Sequence, residues 1–104
     1  MEEIIVMVGY KPKEGKAKQL QQLMREHLLK QQNLVTERIS IMMEAKDRTI
    51  IEVFGWKSRS AIEQAHTNPA VLKMWEKYAE VCDFIPVSTI KKTADVFAEF
   101  KPFN

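Results

Sequence analysis

The feature that most restricts the fold is a repeated change in hydrophobic period. Ile4-Ile5-Val6-Met7-Val8 is a largely β-branched run ended by Gly9 and reads as a strand. After the turn residues Lys11-Pro12-Lys13-Glu14-Gly15, apolar Ala17, Leu20, Leu23, Met24 and Leu28 fall on one helical stripe. That helix is expected to run unbroken to Gln32-Asn33, where Asn tolerates a left-handed end. The period then returns to two. Ile39, Ile41 and Met43 alternate with Arg38, Ser40, Met42 and Glu44; after Lys46-Asp47-Arg48, Ile51 and Val53 alternate with Ile50, Glu52, Phe54 and Trp56. A short odd loop puts the two wholly apolar sets on one face of a hairpin. Ser58 or Ser60 caps the next helix, Ser60 with Glu63 having capping-box form, and Asn68-Pro69 restarts it. Val71, Met74, Trp75, Tyr78 and Cys82 form its apolar stripe. Pro86 interrupts, one more turn is expected near residues 88–92, and Val96, Ala98 and Phe100 alternate with Asp95, Phe97, Glu99 and Lys101 as a last strand.

The implied order is β-α-β-β-α-β over residues 1–104, read as one domain. The class is α+β: a four-stranded antiparallel sheet with helices on one face. Ile4, Val6, Val8, Ile39, Ile41, Met43, Ile51, Val53, Val96, Ala98 and Phe100 are assigned to the helix side. The opposite face then mixes Ile5, Met7, Met42, Ile50, Phe54, Trp56 and Phe97 with charged residues. So much apolar surface exceeds what a monomer usually exposes, and a two-fold homodimer is the simplest cover. The expected interface is Arg38, Met42, Glu52, Phe54, Trp56 and Phe97, with Arg38 and Glu52 as ion-pairing residues that set register.

Composition narrows the function classes. Net charge is +2, and the basic residues are scattered with no run longer than Lys91-Lys92, so no nucleic-acid partner is expected. No apolar run approaches the length of a membrane span, and the acidic start Met1-Glu2-Glu3 is unlike a signal peptide, which points to the cytoplasm. Cys82 is the single cysteine and reads as a small helix hydrophobe. Gly9, Gly15 and Gly55 are isolated, so no phosphate-cradling loop is present and no cofactor is implied. His27 and His66 lack an evident third partner for a metal.

The stretch Ile50-Ile51-Glu52-Val53-Phe54-Gly55-Trp56-Lys57-Ser58, then Ala65-His66, Asn68-Pro69, Val71 and Trp75, resembles the dimeric α/β-barrel superfamily, in particular the antibiotic-biosynthesis-monooxygenase-like domains. The resemblance spans nearly the whole chain and implies a ferredoxin-like fold that dimerises. Phe54 stands where members often carry a Glu. Met7, Val8, Met74 and Trp75 replace the Asn and His of heme-degrading members, so heme chemistry is disfavoured.

By this resemblance the chain is expected to be a cofactor-independent monooxygenase acting on a small aromatic or quinol-like substrate between sheet and helices. His66 is the candidate catalytic base, with a pKa suited to neutral pH. Trp75, Tyr78, Met74, Met43, Met24 and Phe100 are the candidate pocket wall, with Tyr10 at its mouth. Two other readings stand beside this one: a non-catalytic dimer that binds a small apolar ligand, and a purely structural dimer with a filled core.

Overall fold

Burial of two aromatic residues on one strand decides which face of the sheet meets the helices. The computed structural model describes residues 2–104. In chain order it has β1 (Ile4–Pro12), α1 (Ala17–Arg25), α2 (Leu28–Gln31), β2 (Ile41–Glu44), β3 (Ile50–Trp56), α3 (Arg59–Ala65), α4 (Pro69–Val81), β4 (Cys82–Ile85) and β5 (Lys101–Pro102). The sheet is antiparallel, in the order β4-β1-β3-β2-β5. Two 3₁₀ turns, Val87–Thr89 and Lys91–Ala94, follow β4. Among the described residues no helix is long and apolar enough to cross a membrane.

The hairpin pairs as its alternation predicts, with Ile41 opposite Val53 and Met43 opposite Ile51. Its orientation to the helices is the reverse of the expected one. β1 pairs with β3 so that Ile4 faces Trp56, Val6 faces Phe54 and Val8 faces Glu52. Residues opposite each other share a face. The helix side therefore carries Met42, Ile50, Phe54 and Trp56, all buried in the main core with Leu20, Met24, Val71 and Tyr78. Two aromatic side chains bury more apolar area than Val53 and Ile51 can, which favours this parity. Ile41, Met43 and Val53 lie on the outer face instead.

The strand count also differs from the expected four. α4 ends at Val81, and Cys82 takes an extended backbone (φ −156°, ψ 169°) that leads straight into β4. Cys82 is thus a buried strand residue, not a helical one. β1 runs four residues beyond Val8, and that extra length pairs with β4 from Gly9–Ile85 to Pro12–Cys82. A Cβ on Gly9 would stand 2.5 Å from the Ile85 carbonyl oxygen, so this close pairing needs glycine. Both edges of β1 are then taken, and residues 95–100 form no strand; Val96 and Phe97 are exposed. The tail reaches only the outer edge of β2, where Lys101 and Pro102 pair with Glu44 and Met43.

Local signals account for the helix ends. Asn68 caps α4 by accepting from the amides of Ala70 and Val71 (2.9 and 3.2 Å), with Pro69 at the first helical position. Ser58, not Ser60, caps α3 by accepting from Ala61 N–H at 3.1 Å. The first helix breaks at His27, whose φ of 52° is left-handed, and α2 ends before a second left-handed residue, Asn33 (φ 59°).

Candidate functional site

The break at His27 turns Leu28 and Leu29 onto the wall of a cavity of about 700 Å³ between the sheet and the helices. That volume is typical of sites for small ligands. β1 contributes Val6, Val8 and Tyr10, and β3 contributes Glu52, Phe54 and Trp56. The helical wall is Met24 from α1 and Met74, Trp75 and Tyr78 from α4. Thr36, Arg38, Ile39 and Ser40 also line it, between α2 and β2.

One end is aromatic on three sides: the rings of Tyr10, Tyr78 and Phe84 have centroids 5.4–5.9 Å apart. Among the polar groups of this mostly apolar lining, Tyr10 and Glu52 form a hydrogen-bonded pair on the sheet. Tyr10 and Glu52 are diagonal neighbours on one face, since Tyr10 pairs with Ile50 and Val8 with Glu52. The Tyr10 hydroxyl donates to Glu52 Oε1 at 2.6 Å. Burial raises the Glu52 pKa above its ordinary value, and the Tyr10 hydrogen bond offsets part of that rise. Burial and the neighbouring Glu52 charge hold the Tyr10 hydroxyl well above its ordinary pKa, so it stays a donor. Burial likewise raises Tyr78. The arrangement is a desolvated carboxyl, one oxygen fixed by a phenol, facing a mostly apolar cavity. Such a group can accept a proton or hydrogen bond from a ligand hydroxyl or an acidic carbon.

Five of the expected pocket residues come together on this wall: Tyr10, Met24, Met74, Trp75 and Tyr78. Met43 does not, because it lies on the outer face, and Phe100 stands in the tail beside Ala45 and Lys46 in a separate shallow depression. Of the expected partner-facing residues, Met42, Phe54 and Trp56 are buried in the core and Glu52 faces the cavity. Arg38 and Phe97 remain exposed. Arg38 pairs with Glu3, at 2.8 Å, rather than with Glu52. Glu52 is the candidate site residue that the strand pattern obscures. Once the parity of β3 is known, it is the one carboxylate among Ile50, Phe54 and Trp56.

His66 lies elsewhere. It ends α3, is exposed, and its Nδ1–H donates to the Ile62 carbonyl at 2.8 Å. Its ring stands edge-on to Trp75, centroids 5.4 Å apart, so it backs the cavity wall without lining it. His66→Ala is expected to cost less than about 1 kcal/mol, the scale of a lost exposed hydrogen bond. Ligand affinity should stay within about twofold, as single contacts outside a pocket usually allow. Thermal unfolding and dye titration check both. The thiol of Cys82 is pushed up to about 11, chiefly by burial, which keeps it protonated at neutral pH.

Neither protein-family models, nor curated proteins, nor solved structures give a significant match to the chain.

Proposed function

We propose that this chain is a cofactor-independent monooxygenase for a small aromatic or quinol-like substrate, with Glu52 as its base. The observation that carries the reading is the desolvated Glu52 carboxyl, held by Tyr10 on the wall of an otherwise mostly apolar cavity. Glu52 takes a proton from the substrate, and the resulting electron-rich anion is oxidised by dioxygen. One oxygen atom stays on a ring carbon, whose C–H becomes C=O while the phenolate oxygen becomes the second carbonyl of a quinone. The other oxygen leaves as water with the two hydrogens lost from the ring carbon and the hydroxyl. The protein's part is to desolvate, orient and deprotonate. The test is oxygen consumption with a panel of electron-rich phenols and hydroquinones, where consumption should depend on Glu52. Uptake of these compounds with no oxygen consumption would replace this reading with that of a non-catalytic small-ligand binder, which the apolar walls also favour.

The same proposal includes a ferredoxin-like, dimeric α/β-barrel assembly of the antibiotic-biosynthesis-monooxygenase-like kind, residing in the cytoplasm. The strand order β4-β1-β3-β2 within the sheet supports the fold. The outer face supports a second copy of the chain as partner: Ile5, Met7 and Ile41 are 50–57% exposed there, beside Met43 and Val53. Met7→Lys, at the centre of β1, is expected to raise the dimer dissociation constant by at least about a hundredfold, because a buried lysine would lack a partner. Sedimentation velocity reads this directly; a wild type that is monomeric at micromolar concentration refutes the assembly.

A further inference from the structure

We infer that Glu3 is a positioning residue for the cavity mouth: its carboxylate, lying across β3 at Gly55, fixes the segment bearing Thr36 and Arg38 and so sets how fast ligand enters and leaves. This rests on the reading of the cavity as a ligand site.

The rim segment has few other ties. Val35 bridges to Trp56 and Thr36 N–H donates to the Gly55 carbonyl at 2.9 Å, which anchors its start to β3. Pairing resumes only at Ile41. Between these points, residues 37–40 contribute Arg38, Ile39 and Ser40 to the cavity lining. Among the described residues two groups hold that stretch. One is Asn104, whose Nδ2 donates to the Ser40 carbonyl at 2.7 Å. The other is Glu3. Arg38 donates Nε–H to Glu3 Oε2 at 3.1 Å and a terminal N–H to Oε1 at 2.8 Å, and the Thr36 hydroxyl donates to Oε2 at 2.6 Å. A two-pronged guanidinium–carboxylate contact fixes direction as well as distance.

Glycine at position 55 makes this crossing possible. A Cβ there would collide with the Glu3 carboxylate and stand 3.0 Å from Thr36 Oγ1. The colliding group is the free end of a flexible side chain, so an alanine displaces Glu3 rather than the backbone. The Arg38 and Thr36 hydrogen bonds hold the Glu3 carboxyl down to about 2, so it is ionised throughout the neutral range.

Two variants separate the latch from general stability. Glu3→Gln keeps the shape and removes the charge; Gly55→Ala keeps Glu3, Thr36 and Arg38 and removes the path between them. The probe is N-phenyl-1-naphthylamine, a neutral aromatic dye, followed by stopped-flow fluorescence, with amide hydrogen exchange read at residues 37–40. Both variants should speed dye uptake and release several-fold, with Kd changed by less than about twofold, and speed the amide exchange by a similar factor. In a Glu3→Ala background, Gly55→Ala should add nothing further. Lowered melting temperatures with unchanged dye rates, unchanged amide exchange, or full additivity of the two changes would each overturn the inference. A wild type that takes up no dye overturns the cavity reading and the entry role together. Dye uptake without turnover of any phenol removes only the catalytic reading, and the rates still decide the role of Glu3.

Discussion

Glu52→Gln is expected to abolish turnover while making the folded protein more stable at neutral pH. The two effects have one cause. Glutamine keeps the volume of the side chain and can still accept from the Tyr10 hydroxyl, which bonds Glu52 Oε1 at 2.6 Å. It cannot accept a proton. Loss of a positioned general base costs about 10²- to 10⁴-fold in rate. The stability gain follows from the raised pKa. Burial disfavours the charged form of Glu52, so its folded pKa lies above its unfolded value. A carboxyl of that kind favours folding most where it is protonated in both states, below the ordinary carboxylate range. The contribution is lost as pH rises through the folded pKa. At neutral pH, above the unfolded pKa, the wild type therefore carries an ionisation penalty that the variant lacks. A gain of about 1 kcal/mol is the usual scale of such a replacement. It should shrink as pH falls through the folded pKa and be gone below the unfolded pKa, since glutamine does not titrate. Urea unfolding at acid and neutral pH, with oxygen consumption alongside, reads both effects. Retained turnover would remove Glu52 as the base. A stability loss independent of pH would show that its charge is not the destabilising element.

How far the chain could be read in advance differs from feature to feature, and for physical reasons. Periodicity is a local property, so the helical stripes through Leu20 and Met24 and through Val71, Met74 and Tyr78 were legible, as was the pairing of Ile41 with Val53. The parity between β1 and β3 is not local. Ile5 and Met7 are as apolar as Val6 and Val8, so β1 alone does not say which set faces the helices. The bulk of Phe54 and Trp56 decides it through the core they fill. That single inversion hid the site, since it sent Glu52 to a partner-facing surface. Tyr10, Met24, Met74, Trp75 and Tyr78 could be placed on the cavity wall because helix stripes carry four of them and the turn-side end of β1 carries Tyr10. The break at His27 had no warning: a left-handed histidine carries no composition signal, and the stripe continues through Leu28. The tail misled for a different reason. Val96, Ala98 and Phe100 alternate as a strand should, but a strand needs a free edge, and Cys82–Ile85 already occupies the one beside β1.

The inverted parity makes neighbouring methionines on β2 a direct test. Met42 is 1% exposed in the core, whereas Met43 is half-buried on the outer face beside Ile51 and Pro102. Met42→Ala should cost about 2–5 kcal/mol, the range for emptying a packed core site. Met43→Ala should cost under about 1 kcal/mol within a single subunit, as partly exposed sites do. The backbone of Met42 makes the same bonds in either variant: its N–H donates to Asn104 Oδ1, and its carbonyl accepts from Phe103 N–H. The difference between the two therefore isolates side-chain burial. Because Met43 shares the outer face proposed to meet a second copy, both replacements are best measured in the Met7→Lys background, where association no longer adds to the unfolding free energy. Urea midpoints with unchanged slopes would assign the whole effect to the folded state. If Met43→Ala proved the costlier change, the hairpin would present Ile41, Met43, Ile51 and Val53 to the helices. Glu52 would then leave the cavity, and the proposed base with it.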